Sequence, residues 1–391
     1  MRVLMISHTC LSRTEGQPKA ACLADIEGVD LRVLVPDRWY EYGRWRYAET
    51  ALAASYTLTA EHIALPWTGP GQWYLHWYPR LAAVLREFRP DIIDLWEEPF
   101  GLVSAHACWL RNQILPSAKI LSETEQNINK KLPAPFERCR TYTLRNADFA
   151  VGRSAEAVAV LRAKGYKGPA AVVPNAVDAD LFRPLDRIVC RAELGYGPND
   201  FVAGYVGRLI ESKGLMDMVE ALAHCPENVR LLFVGAGDFQ TSLETRARDL
   251  GRTERVRFLP ARPLTDLPRV MNALDTLVLV SRTTPRWKEQ FGRVVIEANA
   301  CGTPVIGSRS GAIPEVVGGA GIIVPEQDPA ALAAAIRSLA ADPKWRNDLA
   351  KIGRHQVEAS FTWGRVAAKM HDIYAEMLDP THNQPQIMPS T

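Results

Sequence analysis

The sequence predicts an α/β protein built from two doubly wound domains, each a parallel sheet covered by helices. Short runs rich in Val, Ile and Leu recur between longer segments with helical spacing, which is typical of buried parallel strands. The alternation begins again after a turn-rich stretch at residues 174–178. A length of 391 residues also fits two domains, whereas a barrel would need evenly spaced β-α units without this break.

The elements follow in order along both halves. Apolar runs predict strands in the first half at 3–6, 31–35, 91–95, 119–121, 149–151 and 171–173, with helices at 73–88, 135–146 and 155–163. The second half predicts strands at 202–206, 230–234, 255–259, 276–280, 304–306 and 321–324, then helices at 329–340, 343–359 and 363–378. The predicted domains are 1–175 and 176–360, with a C-terminal helix at about 361–378 as a candidate to pack back on the first domain. The Pro-containing tail, 379–391, is predicted to be disordered.

Composition excludes several classes of protein. There are 46 basic and 44 acidic residues, so the net charge of +2 argues against a strongly basic nucleic-acid binder. Seven scattered cysteines without a C-x-x-C pair indicate neither a disulfide framework nor a zinc site. The chain shows no secretory leader and no apolar run of membrane-spanning length, so we expect a cytoplasmic protein, with peripheral membrane contact left open.

The segment 288–306 carries the strongest candidate site. A helix predicted from Phe291 begins where the strand at 276–280 opens at its carboxyl end, which is the ligand crevice of a doubly wound sheet. Free N–H groups at a helix start favour a phosphate, and Gly292 allows close approach of a ligand. Glu289 and Glu297 could accept hydrogen bonds from separate hydroxyl-bearing parts of one ligand.

Two cations point to the same crevice. Arg208 and Lys213 follow the strand at 202–206, so both are presented at a strand's carboxyl end. Together they could neutralise a diphosphate leaving group, Arg208 by bidentate bonding and Lys213 as a point charge. The alternative for either residue alone is an ordinary solvated loop.

These residues resemble the signature of the retaining family-four glycosyltransferases of the GT-B fold, also called glycosyl transferases group 1. The shared pattern is a Glu, seven residues and a second Glu, with Phe-Gly after the first and Ala-Cys-Gly-Thr-Pro-Val after the second. The resemblance covers about 174–340 closely and implies two Rossmann-like domains facing across a cleft. It implies that Glu289 contacts donor-sugar hydroxyls, that Glu297 binds the ribose, and that Arg208 and Lys213 hold the diphosphate. The backbone expected to meet the sugar and diphosphate belongs to Phe291, Gly292, Arg293, Val294 and Val295.

The first domain departs from the family pattern. The resemblance implies a glycine-rich loop after the first strand, but the loop here has one glycine, Gly16, at which we expect a backbone contact with the donor phosphates. A histidine expected after a middle strand is absent from 119–127. Glu123, Glu125 or Asn127 is the acceptor-side candidate there, and the alternative is an exposed polar loop that caps the next helix.

Aromatic residues are concentrated in the first domain. Seven of the ten tryptophans lie in the first 109 residues, among them Trp39, Trp45 and Trp67. The predicted loop at 38–47 is a candidate to bind the acceptor or a lipid carrier through Trp39 and Trp45, and the alternative is an aromatic cluster that covers the core. His8 follows the first strand and has some claim as a base, whereas His106 is expected in the core.

The resemblance implies a nucleotide-sugar-dependent, retaining glycosyltransferase that moves a hexose-type sugar to a hydroxyl acceptor in polysaccharide or glycoconjugate biosynthesis. The expected partners are the donor and a glycan, lipid-linked or small-molecule acceptor, with no nucleic acid, metal or cofactor. Gly235 and Gly237 do not indicate a dinucleotide site, because Gln240 replaces the third glycine of that motif. The alternatives are a sugar-nucleotide epimerase of the same fold and a non-catalytic sugar-nucleotide-binding protein. Donor base, acceptor and oligomeric state remain open.

Overall fold

The computed structural model describes residues 1–41, 43–65 and 71–379. The chain forms two compact units, one comprising Met1–Val173 with the chain from Trp363 onward, the other Pro174–Thr362. From residue 380 onward, the tail that was predicted to be disordered lies outside the described residues. Tyr42 and Trp67, two aromatic residues of the first domain, also lie outside them.

The first unit contains a parallel sheet of seven described strands. The strands of the sheet are β1 Arg2–Ile6, β2 Asp30–Pro36, β5 Thr57–Glu61, β6 Ile92–Leu95, β7 Lys119–Thr124, β8 Phe149–Gly152 and β9 Ala170–Val172. Two further strands, β3 Arg38–Glu41 and β4 Arg44–Tyr47, form a separate antiparallel pair. The order across the sheet is β5-β2-β1-β6-β7-β8-β9. Central strands such as β6 are buried along their whole length, which explains why most of their residues are apolar.

Helices connect these strands. They are α1 Gln17–Ala24, α2 Gly71–Leu75, α3 Leu81–Phe88, α4 Leu102–Ile114, α5 Ala134–Asn146 and α6 Ala155–Ala163, with a 3-10 turn at Thr9–Leu11. The prediction of one helix over 73–88 was wrong. The backbone carbonyl of Trp77 accepts a hydrogen bond from Ala64 N at 2.9 Å, and Pro79 interrupts helical bonding before α3 begins.

The aromatic segment at 38–47 was predicted as a loop, and this was wrong. β3 and β4 pair antiparallel, with Arg38 opposite Tyr47 and Tyr40 opposite Trp45. Gly43 takes a φ of 79° next to the turn, which suits glycine, and the Trp and Tyr residues favour the strand conformation.

The second unit contains a parallel sheet of six described strands. Its strands are β10 Phe201–Val206, β11 Val229–Val234, β12 Val256–Leu259, β13 Thr276–Leu279, β14 Val305–Ser308 and β15 Gly321–Val324, in the order β12-β11-β10-β13-β14-β15. Its helices are α7 Arg187–Glu193, α8 Leu215–Leu222, α9 Gln240–Asp249, α10 Leu267–Ala273, α11 Arg293–Ala300, α12 Ile313–Val317, α13 Pro329–Ala341 and α14 Pro343–Ser360. Short 3-10 turns occupy Glu211–Lys213, Thr253–Arg255 and Leu264–Asp266.

The last described helix, α15 Trp363–Leu378, belongs to the first unit and packs against α1. Its buried side chains include Val366, Met370 and Tyr374, which recur at helical spacing. The Tyr374 hydroxyl donates a hydrogen bond of 2.7 Å to Asp94 Oδ2 on β6. Helix α15 is therefore fixed to the interior of the first sheet.

Candidate functional site

The second sheet reverses the direction of its connections between β10 and β13. β10 leads to β11 on one side, and β13 leads to β14 on the other. The loops that follow β10 and β13 therefore diverge and leave a crevice at the carboxyl ends of the strands, the usual ligand position in open α/β sheets. The predicted donor-site segments follow these two strands.

Lys213 and Glu289 form an ion pair at this crevice. Lys213 Nζ lies 2.7 Å from Glu289 Oε2, and Ser281 Oγ donates to the same oxygen at 2.8 Å. The two paired side chains are only 13% and 12% exposed, and Nζ lies 4.7 Å from the centroid of the Trp287 ring. An ammonium group has three N–H donors, so Lys213 can hold Glu289 and also donate to an anionic ligand.

Close backbone packing explains glycines in the neighbouring loops. A Cβ on Gly214 would lie 2.0 Å from the Val280 carbonyl oxygen, and a Cβ on Gly235 would lie 1.8 Å from that of Gly207. The φ angles of 69° at Gly214 and 152° at Gly235 also favour glycine. The loops after β10, β11 and β13 can therefore pack directly on one another, which brings Lys213 beside the segment after β13.

Arg208 lies earlier in the loop that carries Lys213. The Tyr205 hydroxyl donates a 2.8 Å hydrogen bond to the Arg208 carbonyl oxygen, which fixes the backbone of this loop. The Arg208 side chain is exposed, whereas that of Lys213 is largely covered. The loop thus presents one accessible guanidinium and one ammonium that is already oriented by a carboxylate.

Helix α11 begins at Arg293, so the prediction of a start at Phe291 was wrong. Gly292 precedes the helix with a φ of 83°, a left-handed conformation that a right-handed helix cannot contain. The side chains of Phe291 and Val295 are buried in the core, and those of Arg293 and Val294 are half-buried. In the first turn of α11 the Val295 N–H donates to the Gly292 carbonyl oxygen at 2.8 Å. The N–H groups at the start of a helix can bind an anion.

Glu297 lies inside α11 and is buried. Burial raises the pKa of its carboxyl group, and the charge of Arg293 opposes the shift. Its predicted role on a ribose remains a prediction.

The first sheet has the same kind of reversal between β1 and β6, because β1 leads to β2 on one side and β6 leads to β7 on the other. His8 follows β1 and Glu97 follows β6. His8 Nδ1 lies 2.8 Å from both Glu97 carboxylate oxygens, and the His8 backbone N–H donates to Oε1 at 2.6 Å. Burial lowers the pKa of His8, but the charge and hydrogen bond of Glu97 outweigh it, and the net pKa is raised.

Aromatic rings surround His8. The Trp39 ring stacks on the imidazole at 4.6 Å between centroids, and Trp73 meets the imidazole edge-on at 4.6 Å. Trp39 is buried, so its predicted stacking on a ligand is replaced by stacking on His8. Trp45 instead packs against Tyr40 on the hairpin, with their centroids 5.3 Å apart.

Glu123 occupies the interior rather than an exposed acceptor-side loop. One oxygen lies 2.5 Å from Lys19 Nζ, the other pairs with Arg153, and the side chain is 1% exposed. Burial opposes its ionisation, but the charges of Arg153 and Lys19 lower its pKa to about 2. Burial and the charge of Glu123 raise the pKa of neighbouring Asp94 to about 8. These buried charged side chains connect α1, β6, β7 and the loop after β8, so they hold parts of the first unit together.

The other first-unit candidates lie near the same sheet edge. The Glu125 backbone N–H donates to Glu98 Oε1 at 2.9 Å, and Asn127 Nδ2 donates to Glu156 Oε2 at 3.2 Å. Gly16 precedes α1, where a Cβ would lie 2.6 Å from Cys10 N, so close packing with the preceding turn accounts for this glycine. Its predicted contact with donor phosphates remains a prediction.

Glu97 and Glu98 were missed from the sequence, although they lie one residue beyond a buried strand and could have been noticed there. Burial raises the pKa of Glu98 to about 7, opposed by hydrogen bonds from Thr124 and the Glu125 backbone. Within the described ranges no cluster of three or more His, Cys, Asp or Glu residues is arranged to hold a metal ion. No helix of this described part is long and apolar enough to cross a membrane.

The chain thus has two Rossmann-like units, each with charged side chains at its connection reversal. The family description "Glycosyl transferases group 1" matches residues 186–356, and "Glycosyltransferase Family 4" matches residues 20–181. The chain belongs to this glycosyltransferase family and has the GT-B type of fold.

Relatives and solved structures agree with this assignment. The chain is 30% identical over 307 residues to D-inositol 3-phosphate glycosyltransferase of Corynebacterium jeikeium (strain K411), covering 74% of this chain and 69% of the relative. Sucrose-phosphate synthase from Thermosynechococcus elongatus is 23% identical with a TM-score of 0.73, covering 96% of this chain and 99% of that one. HepE of Anabaena in complex with UDP is 21% identical with a TM-score of 0.73, covering 96% and 100% of the two chains. These structural likenesses support the fold.

Proposed function

We propose that this glycosyltransferase moves a hexose-type sugar from a nucleotide-diphosphate sugar to a hydroxyl group, with retention of anomeric configuration. The observation that carries the proposal is the Lys213–Glu289 pair at the connection reversal of the second sheet, beside the start of α11. This arrangement offers a cation, a hydroxyl-binding carboxylate and helix N–H groups to one ligand.

The cations stabilise the leaving group. As the glycosidic bond to the diphosphate breaks, negative charge grows on the phosphate oxygens. Lys213 and Arg208 offset this charge by donating hydrogen bonds, and the N-terminal end of α11 adds its dipole. Because these groups can neutralise the diphosphate, the proposed reaction uses no metal.

The carboxylates position the donor. Glu289 is fixed by Lys213 and Ser281, so its oxygens can accept hydrogen bonds from sugar hydroxyls without prior reorganisation. Glu297 is assigned to the ribose. No carboxylate is assigned as a nucleophile. The acceptor hydroxyl attacks from the face that the diphosphate leaves and gives its proton to the departing phosphate oxygen, which retains the configuration.

The acceptor is assigned to the first unit. A glycan, a lipid-linked sugar or a small polyol would suit its polar sheet edge, and the product would enter polysaccharide or glycoconjugate synthesis. The β3–β4 hairpin exposes Arg44 and Tyr47, a pairing that suits peripheral contact with a membrane interface at the cytoplasmic face. Names of relatives support the general reaction, since one is an inositol phosphate glycosyltransferase and a structural neighbour binds UDP.

The test is a transfer assay with UDP-, GDP- and ADP-glucose against a panel of sugar and inositol acceptors, with the product anomer read by NMR. Glu289→Ala, Arg208→Ala and Lys213→Ala should each reduce transfer at least about 100-fold, since each removes charge or hydrogen bonding at the reacting centre. Arg248→Ala is the matched control, because Arg248 is exposed on α9 of the same unit. Normal activity in Glu289→Ala would contradict the site, an inverted product would contradict retention, and free epimerised donor would indicate an epimerase.

A further inference from the structure

The first unit contains an ion pair, His8 and Glu97, that takes no part in the proposed binding of the donor. His8 and Glu97 lie where the loops after β1 and β6 diverge, the counterpart in this sheet of the position that Lys213 and Glu289 hold in the second. Diverging loops at a connection reversal form a ligand crevice.

The ring of His8 is fixed in one orientation. Both its Nδ1 and its backbone N–H bond to the Glu97 carboxylate, which is itself buried. Trp39 covers one face of the imidazole at an interplanar angle of 22°, and Trp73 closes its edge at 85°. Among the described residues, the hydrogen bonds of the ring involve Nδ1, so Nε2 can bond to a ligand, and the side chain is 15% exposed.

Polar atoms without partners lie in the same cluster. Within the described part of the chain, Trp39 Nε1, His76 Nε2 and Tyr78 Oη are buried and have no hydrogen-bond partner. The side chains of His76 and Tyr78 are fully buried, and His76 Nε2 lies 3.9 Å from Glu97 Oε1. Buried polar groups are normally satisfied, so this cluster has capacity for water or ligand oxygens.

Trp73 gives the cluster an accessible aromatic surface. Its side chain is 39% exposed, whereas Trp39 is 2% exposed. An indole face can stack on the C–H surface of a sugar ring while a neighbouring nitrogen bonds a hydroxyl. An ordinary core histidine would not need an exposed indole beside it.

We propose that His8, Glu97 and Trp73 form the binding subsite for a cyclic polyol or sugar acceptor, with His8 Nε2 hydrogen-bonded to a hydroxyl and Trp73 stacked on the ring. This inference rests on the proposed function, because it identifies where the first unit holds the acceptor. His8 is a binding residue, and Glu97 is a positioning residue that acts through it.

Charge supports this role. Burial lowers the pKa of His8, but Glu97 raises it more strongly, which favours the protonated imidazole, whose Nε2–H can donate to a hydroxyl oxygen. The charges of Glu41 and Glu125 raise the pKa of His8 further. Burial and the charge of His8 lower the pKa of the neighbouring His76.

The experiment measures binding without turnover. Saturation-transfer difference NMR records the signals of myo-inositol and of methyl α-D-glucopyranoside on the full chain. His8→Asn keeps a donor near the Nδ1 position but removes Nε2, and Trp73→Ala removes the stacking face. Both should reduce the signals of at least one probe about tenfold, as expected for loss of a charged hydrogen bond or a stacked ring.

His8→Gln places a polar atom near the Nε2 position and should restore binding to within about threefold of the wild type. His62→Asn and Trp109→Ala are matched controls, since both residues are exposed elsewhere in the first unit, and each should leave the signals unchanged. Melting curves identify any variant that fails to fold. Equal loss of signal in His8→Asn and His8→Gln, with both folded, would overturn the role of Nε2.

UDP binding is measured by calorimetry on the same samples to separate the two proposals. Wild-type protein that binds UDP but gives no signal with either polyol, or variants that bind them normally, would overturn the subsite and leave the donor site intact. Polyol binding without any nucleotide binding would instead contradict the proposed function.

Discussion

Replacing Lys213 with alanine should weaken nucleotide binding and destabilise the second unit through two separable effects. The ammonium group lies 2.7 Å from Glu289, and both side chains are largely covered. Removing one partner of a fully buried pair costs about 3–5 kcal/mol, and an exposed pair is worth about 0–1 kcal/mol. For this intermediate exposure we expect a loss of about 2 kcal/mol of unfolding free energy, or about 4–8 °C in Tm for a unit of this size.

The effect on affinity follows from the lost hydrogen bond to the diphosphate. A hydrogen bond to a charged group contributes about 1.5–3 kcal/mol, so the Kd for UDP should rise about 10- to 150-fold. Isothermal titration calorimetry with UDP measures the affinity, and calorimetric melting measures the stability. Lys351→Ala is the control, because that residue pairs at the exposed surface of α14 in the same unit.

A double variant separates the two effects. In Lys213→Ala/Glu289→Gln the stranded buried charge is removed, so stability should recover part of the loss while UDP binding stays weak. Wild-type UDP affinity in Lys213→Ala, with a folded protein, would refute the assignment of this ammonium group to the diphosphate.

Three further changes test the fold and the first-unit site. In Glu97→Gln the pKa of His8 should fall, because burial is then opposed only by the more distant charges of Glu41 and Glu125; NMR titration of the imidazole measures this, and an unchanged pKa would contradict the pairing. In the wild type the raised pKa of His8 stabilises the folded state at low pH, and denaturant titration should show this contribution disappear as pH rises through the folded pKa. Gly235→Ala should destabilise the protein by more than about 3 kcal/mol, because its Cβ would lie 1.8 Å from a backbone oxygen; a normal Tm would contradict the packing. Tyr374→Phe should cost about 1–2 kcal/mol in urea unfolding by removing the hydrogen bond to buried Asp94, and no change would show that this bond contributes nothing.

The strands and helices that depend on a local pattern of residues could be predicted from the sequence. Apolar runs such as 276–280 predicted buried strands, because a parallel strand is covered on both faces, and β13 at Thr276–Leu279 is buried throughout. The predicted helices 155–163 and 363–378 match α6 and α15. The hairpin at 38–47 was missed although Gly43 lies between aromatic strand formers, a pattern that local chemistry could have indicated.

Contacts between distant segments could not be predicted. Lys213 and Glu289 were each predicted at the donor site, but their pairing depends on β10 and β13 being neighbours in the sheet. Glu123 was one of three acceptor-side candidates, and nothing local in the sequence shows that Lys19 and Arg153 enclose it. Glu97 was not predicted as a site residue, because an acidic residue after a strand is common. Its contact with His8, which the sequence does not show, makes it a candidate.

The most direct test of the account is a crystal structure of the protein grown with UDP-glucose, or with the GDP or ADP analogue if that donor binds more tightly. The account predicts the diphosphate at the carboxyl ends of β10 and β13, within hydrogen-bond distance of Arg208, Lys213 and the first N–H groups of α11, with the sugar on Glu289. A nucleotide bound elsewhere, or a diphosphate without contact to Lys213 and α11, would contradict it.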